Sequence, residues 1–145
     1  MTAMKGIKET VRLRATANEV WQVVGTADGI GKWFMENDLV AEKGRTFHLQ
    51  SPFGPSPCKV LEAVAPHKLT FSWEADGWIV TFLVEDAGNK TDFTLIHDGW
   101  KEPEDVVGKA GETTRVVHER MTEGWRDIVQ DKLRKAVEEE KDEID

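Results

Sequence analysis

Between Ile7 and Leu13 apolar and polar positions alternate, with Ile7, Glu9, Val11 and Leu13 on one face and Lys8, Thr10 and Arg12 on the other. A period of two is the signature of a strand. Thr16-Ala17-Asn18-Glu19 then reads as a capping box, a hydroxyl and a carboxylate each satisfying a free N–H of the other's residue. It opens a short helix with Val20, Val23 and Val24 on its apolar side and Gly25 as its stop. Asp28 to Phe34 adds one or two further turns and runs into the apolar Trp33-Phe34-Met35. Strand patterns follow in series. Arg45 to Gln50 alternates about Phe47 and Leu49; Pro52 to Pro57, with Gly54 inside, is predicted as a turn. Cys58 to Val64 and Lys68 to Glu74 are strands, the latter with Leu69, Phe71 and Trp73 on one face. Asp76-Gly77 is a hairpin signal. Trp78 to Glu85 and Thr91 to Asp98 are the last two strands, with Phe93, Leu95 and His97 on one side of the second. Short turns between consecutive strands predict an antiparallel meander.

After an irregular, polar stretch from Asp98 to Gly111, Thr113 to about Glu140 predicts a helix roughly 40 Å long. Val117, Met121, Trp125, Ile128, Val129, Leu133 and Val137 form its apolar stripe at spacings of three and four. The acidic end, Glu138 to Asp145, opposes the helix dipole and is expected to fray. The order of elements predicts an α+β fold: one domain over residues 1–145, ordered from about 7 to 137, with the long helix across the concave face of a curved sheet.

Composition narrows the functional classes. The chain has 145 residues and a net charge of −8, which disfavours nucleic acid and anionic membranes, since phosphate binding needs clustered Lys and Arg. No apolar run approaches a membrane span, and Met1 to Gly6 holds no signal-like apolar core. The lone cysteine, Cys58, cannot form an internal disulfide, so a cytoplasmic setting is the expectation. Six Trp and six Phe with no Tyr supply large apolar area.

The residues also carry a resemblance. Thr16-Ala17-Asn18-Glu19-Val20-Trp21 is followed by Lys32-Trp33-Phe34, Pro66-His67-Lys68-Leu69-Thr70-Phe71-Ser72-Trp73 and Val80-Thr81-Phe82. Thr94-Leu95-Ile96-His97-Asp98-Gly99-Trp100 then precedes a final helix bearing Gly124-Trp125. This order, from about Ile7 to Val137, resembles the heat-shock protein 90 ATPase activator homologue family of the START-like (SRPBCC) superfamily. The resemblance implies a helix-grip fold: about six antiparallel strands gripping the C-terminal helix, with two small helices closing one end. It also implies an apolar cavity between sheet and helix, as in superfamily members that serve as lipid carriers, hormone receptors, polyketide cyclases or chaperone activators.

The candidate cavity-lining residues are Glu9, Phe34, Phe47, Leu49, Phe71, Trp73, Phe82, Phe93, Leu95, His97, Met121, Trp125 and Ile128. The aromatic members fit a filled core as readily as a pocket. Glu9 and His97 lie on the apolar side of their strands, where an ionisable group is costly unless paired. Each is read either as an orienting or proton-transfer group or as a satisfied structural one. Neighbouring strand residues point to opposite faces, so His97 and Asp98 make no dyad. His48, His67, His97 and His118 are too dispersed for a metal site, and neither a phosphate loop nor a serine-nucleophile elbow is present. No catalytic residue, cofactor or metal is assigned. The leading expectation is binding of a small apolar, aromatic or lipid-like ligand. The alternatives are interaction with heat-shock protein 90, and a cyclase or hydratase using Glu9 or His97.

Overall fold

The computed structural model describes residues 4–51, 54–73, 77–107 and 111–138. The first strand, β1 (Ile7–Leu13), leads into α1 (Ala17–Val24) and α2 (Ala27–Trp33). The capping box is formed as the sequence predicts: the Thr16 hydroxyl accepts from the Glu19 N–H at 3.2 Å, and the Glu19 carboxylate accepts from the Thr16 N–H at 2.8 Å. Gly25 closes α1 at φ −110°, outside the left-handed region. Its glycine answers a packing need instead, because a Cβ there would lie 2.4 Å from the Trp21 ring.

A meander follows: β2 (Thr46–Ser51), β3 (Gly54–Val64), β4 (Lys68–Trp73), β5 (Trp78–Ala87) and β6 (Lys90–Asp98). Every pairing is antiparallel, and β1 closes onto β6, giving the order β1-β6-β5-β4-β3-β2. The chain then forms a small hairpin, β7 (Val106–Val107) with β8 (Glu112–Thr113), inside the stretch expected to be irregular. Helix α3 (Thr114–Asp127) starts at a Thr113 cap and runs on without a break through a π-helical segment, Ile128–Leu133. The expected fraying of the acidic end falls largely outside the described residues, as do Asp76 of the hairpin signal and Glu74.

One expectation is corrected. Pro52 to Pro57 is not a turn as a whole: β3 begins at Gly54, and Pro55 and Pro57 pair with Gln50 and His48 of β2. Val60 donates to Arg45, on the β2 side, so alternation along the strand turns residues 55 and 57 the other way. Within the described residues, the pairing of β4 with β3 begins at Cys58 with Trp73 and includes neither proline. Proline, which has no N–H to donate, is therefore accommodated.

Register sets the inner face in rows. Phe71, Val80, His97 and Ile7 stand side by side across β4, β5, β6 and β1, and Leu69, Phe82, Leu95 and Glu9 form the next row. All but Glu9 are buried. The long helix covers these rows, with Trp125, Val129, Leu133 and Val137 buried beneath it. This is the helix-grip fold.

Both free edges of the sheet are occupied. Along β1, the Gln130 side chain donates to the Thr10 carbonyl at 2.9 Å, Arg134 donates to the Arg12 carbonyl at 3.1 Å, and the Arg14 N–H donates to Glu138 at 2.9 Å. Along β2, the Gln50 N–H donates to the Glu36 carbonyl at 2.9 Å, Asn37 bridges to Leu49, and the Asp38 carboxylate accepts from the His48 N–H.

Candidate functional site

The sequence-predicted inner-face residues divide into two neighbouring groups. Phe47, Phe71, Phe82 and Phe93 pack ring on ring at 5.3–5.6 Å centroid spacing, with Leu49 and Leu95 buried beside them. Trp33 of α2 closes this group, 5.6 Å from Phe82, its indole N–H donating to the Val23 carbonyl at 2.9 Å. Edge-to-face rings at such spacings are the texture of a core.

The second group centres on His97, whose side chain is fully buried. Four indoles surround its imidazole: Trp100 at 4.6 Å, Trp78 at 4.8 Å, Trp73 at 5.8 Å and Trp125 at 6.1 Å between ring centroids. Each comes from a different element. Trp73 ends β4, Trp78 begins β5, Trp125 descends from α3, and Trp100 follows β6. Trp100 is turned inward at Gly99, which holds φ +90° and approaches the Gly77 carbonyl so closely that a Cβ would meet it at 2.1 Å. The Trp100 indole then donates to the His97 carbonyl at 3.0 Å. Phe34, half-buried after α2, completes the wall, 4.9 Å from Trp125 and 5.8 Å from Trp73.

The hydrogen bonding defines the imidazole. The Trp125 indole N–H donates to His97 Nδ1 at 2.9 Å. An indole nitrogen can only donate, so Nδ1 is the acceptor and the proton of the neutral ring sits on Nε2. Burial, with a smaller contribution from His118, pushes the His97 pKa down to about 3, so the ring is neutral at physiological pH. Among the described residues, Nε2 has no hydrogen-bond partner, and neither has Nε1 of Trp73.

Of the remaining candidates, Glu9 is largely buried and faces Arg126 of α3 at 3.8 Å, a structural pairing across helix and sheet. Glu9 and His97 sit on one face two residues out of register, with Leu95 and Ile7 as their direct partners. Met121 and Ile128 are partly buried against the core. Asp98 points out while His97 points in. Cys58 is buried, its Sγ 3.6 Å from the Ser56 carbonyl. Among the described residues, no group of three or more His, Cys, Asp and Glu is placed to hold a metal, and no helix is long and apolar enough to cross a membrane. A separate open groove of about 550 Å³ lies between the ends of β3, β4 and β5, lined by residues including Val64, His67, Lys68 and Leu83.

Sequence reasoning missed Trp78, Trp100 and His118. Trp78 shares strand parity with Val80 and Phe82, so its inward direction was available from alternation. Trp100 lies beyond the last strand, where no periodicity assigns a face. His118 packs on Trp100 at 4.8 Å and bonds to the Lys5 carbonyl at 2.8 Å, contacts that depend wholly on tertiary structure.

A family model described as activator of Hsp90 ATPase homolog 1-like protein matches residues 14–138. A Bacillus halodurans protein solved in solution is 52% identical, with a TM-score of 0.88 over 94% of this chain and 99% of that one. The Aha1 dimer from Colwellia psychrerythraea is 18% identical, with a TM-score of 0.70 over 92% of this chain and 96% of that one. CalU16 from Micromonospora echinospora is 23% identical, with a TM-score of 0.68 over 90% and 72%. The last two similarities concern the fold alone. No curated protein matches the chain.

Proposed function

Since the chain belongs to the activator of Hsp90 ATPase homolog 1-like family, we propose that it binds a small, mostly apolar molecule between sheet and long helix, against the wall formed by Phe34, Trp73, His97 and Trp125. The observation that carries this reading is the convergence of indoles from several separate elements on one neutral, buried imidazole. Sites for such ligands are mostly apolar and aromatic, with a few polar groups fixing orientation. Burial of ligand surface supplies the affinity. Access runs past Phe34 or the segment following Gly99, where the wall is built from connecting chain and not from sheet. The lone buried cysteine accords with a cytoplasmic setting.

A lipophilic library screened by thermal shift and tryptophan fluorescence tests the proposal. A binder stabilises the folded state by mass action and quenches Trp73 and Trp125. No thermal shift across the library, together with a crystal structure whose inner face admits no benzene-sized molecule, would reject it.

Family membership favours a second reading, interaction with heat-shock protein 90, for which the charge of −8 calls for a basic patch on the partner. A pull-down with the host chaperone tests it. The acid–base reading of Glu9 and His97 has less support: Glu9 faces Arg126, and the two candidates are not direct partners across the strands.

A further inference from the structure

Two buried N–H groups in the aromatic enclosure have no acceptor among the described residues, and the position of one of them is set by a third residue. Trp125 occupies His97 Nδ1, so Nε2 of that ring must carry its proton and present it. Trp73 Nε1 is the second donor, on a ring 5.8 Å from the imidazole and tilted 35° to it. Among the other indoles, Trp33 is bonded to the Val23 carbonyl and Trp100 to the His97 carbonyl. Buried donors are nearly always paired, because an unpaired one forfeits its hydration. Two such donors in one aromatic cluster mark a place where something else supplies the acceptor.

We propose that the ligand carries a neutral acceptor oxygen, of the carbonyl or ether class, recognised by His97 Nε2–H and Trp73 Nε1–H, with Trp125 as the positioning residue that fixes the imidazole tautomer. This rests on the ligand reading above and narrows it. A carbonyl oxygen has two lone pairs and can satisfy both donors. A carboxylate is disfavoured because its charge would be buried against neutral groups. Arg126 of α3 faces the Glu9 carboxylate at 3.8 Å.

The test compares three probes of similar shape: naphthalene, 2-acetylnaphthalene and 2-naphthoate. Titrations of the full chain should show 2-acetylnaphthalene binding about tenfold more tightly than naphthalene, the return on one or two neutral hydrogen bonds, and 2-naphthoate binding no better than naphthalene. His97→Phe and Trp73→Phe should each lower the ratio of ketone to naphthalene affinity by about threefold to tenfold, whatever each does to absolute affinity, as for loss of a single neutral hydrogen bond. An independent readout on the unaltered chain guards against variants that fail to fold: the His97 Nε2–H proton resonance should shift downfield with the ketone and not with naphthalene. Equal affinity for ketone and naphthalene overturns the acceptor assignment while leaving apolar ligand binding intact. Preference for 2-naphthoate overturns its neutral character. Failure of all three to bind counts against the enclosure as a ligand site and against the assignment with it.

Discussion

At His97 the folded and unfolded chains differ in their appetite for a proton. The unfolded imidazole titrates near 6.5, whereas burial, then His118, brings the folded value to about 3. Below 6.5 the unfolded state takes up a proton that the folded state refuses. The stability held in full above that pH is therefore lost progressively as the pH falls toward 3. The loss should reach about 2 kcal/mol by pH 5. Urea titrations at pH 7 and pH 5 check this: His97→Phe should lack most of the difference, and equal slopes in variant and parent would refute the assignment. Trp125 is 1% exposed and bonded to that ring, so Trp125→Ala should cost roughly 3–5 kcal/mol in denaturant titration. Trp125→Phe keeps most of the volume and removes the donor, and should cost roughly 1–3 kcal/mol. Strand alternation alone placed His97 and Trp73 on the inner face; the tautomer and the two unpaired donors depend on contacts between elements distant in sequence.

The start of α1 was legible because its chemistry is local. The Thr16–Glu19 box needs only four residues to declare itself, and it forms as read. Thr16→Ala should destabilise by ~1 kcal/mol. Because Thr16 and Glu19 bond reciprocally, the double substitution with Glu19→Ala should cost less than the sum of the singles in a double-mutant cycle. The interior of the long helix was less legible. Val117, Met121, Trp125, Val129, Leu133 and Val137 recur every four residues. Four residues of α-helix overshoot a turn by about 40°, so five such steps would carry Val137 roughly 200° away from Val117. The π-helical segment Ile128–Leu133 winds more slowly and returns Val129, Leu133 and Val137 to the covered face. The prolines of β3 misled for a related reason: whether Pro55 and Pro57 break a strand depends on the strand beside them, which local sequence does not show.

For the molecule as a whole, element order and hydrophobic alternation sufficed to anticipate a meander gripping a helix, since each inner face needed the other for burial. They did not indicate how the two outermost strands would be finished. On one side the long helix lays Gln130, Arg134 and Glu138 along β1; on the other, residues 36–38 fold back along β2. Unpaired strand borders are the usual templates on which chains add to one another and on which fibrils nucleate. Here both borders already have a companion from the same chain. Copies meeting at high concentration therefore find these rungs, at residues 10–14 and 48–50, already taken, and edge-to-edge self-association is hindered there. Templated growth would first require peeling the helix from β1 or residues 36–38 from β2, so slow fibrillation in the native state and rapid fibrillation once either flank is loosened are two faces of the same architecture.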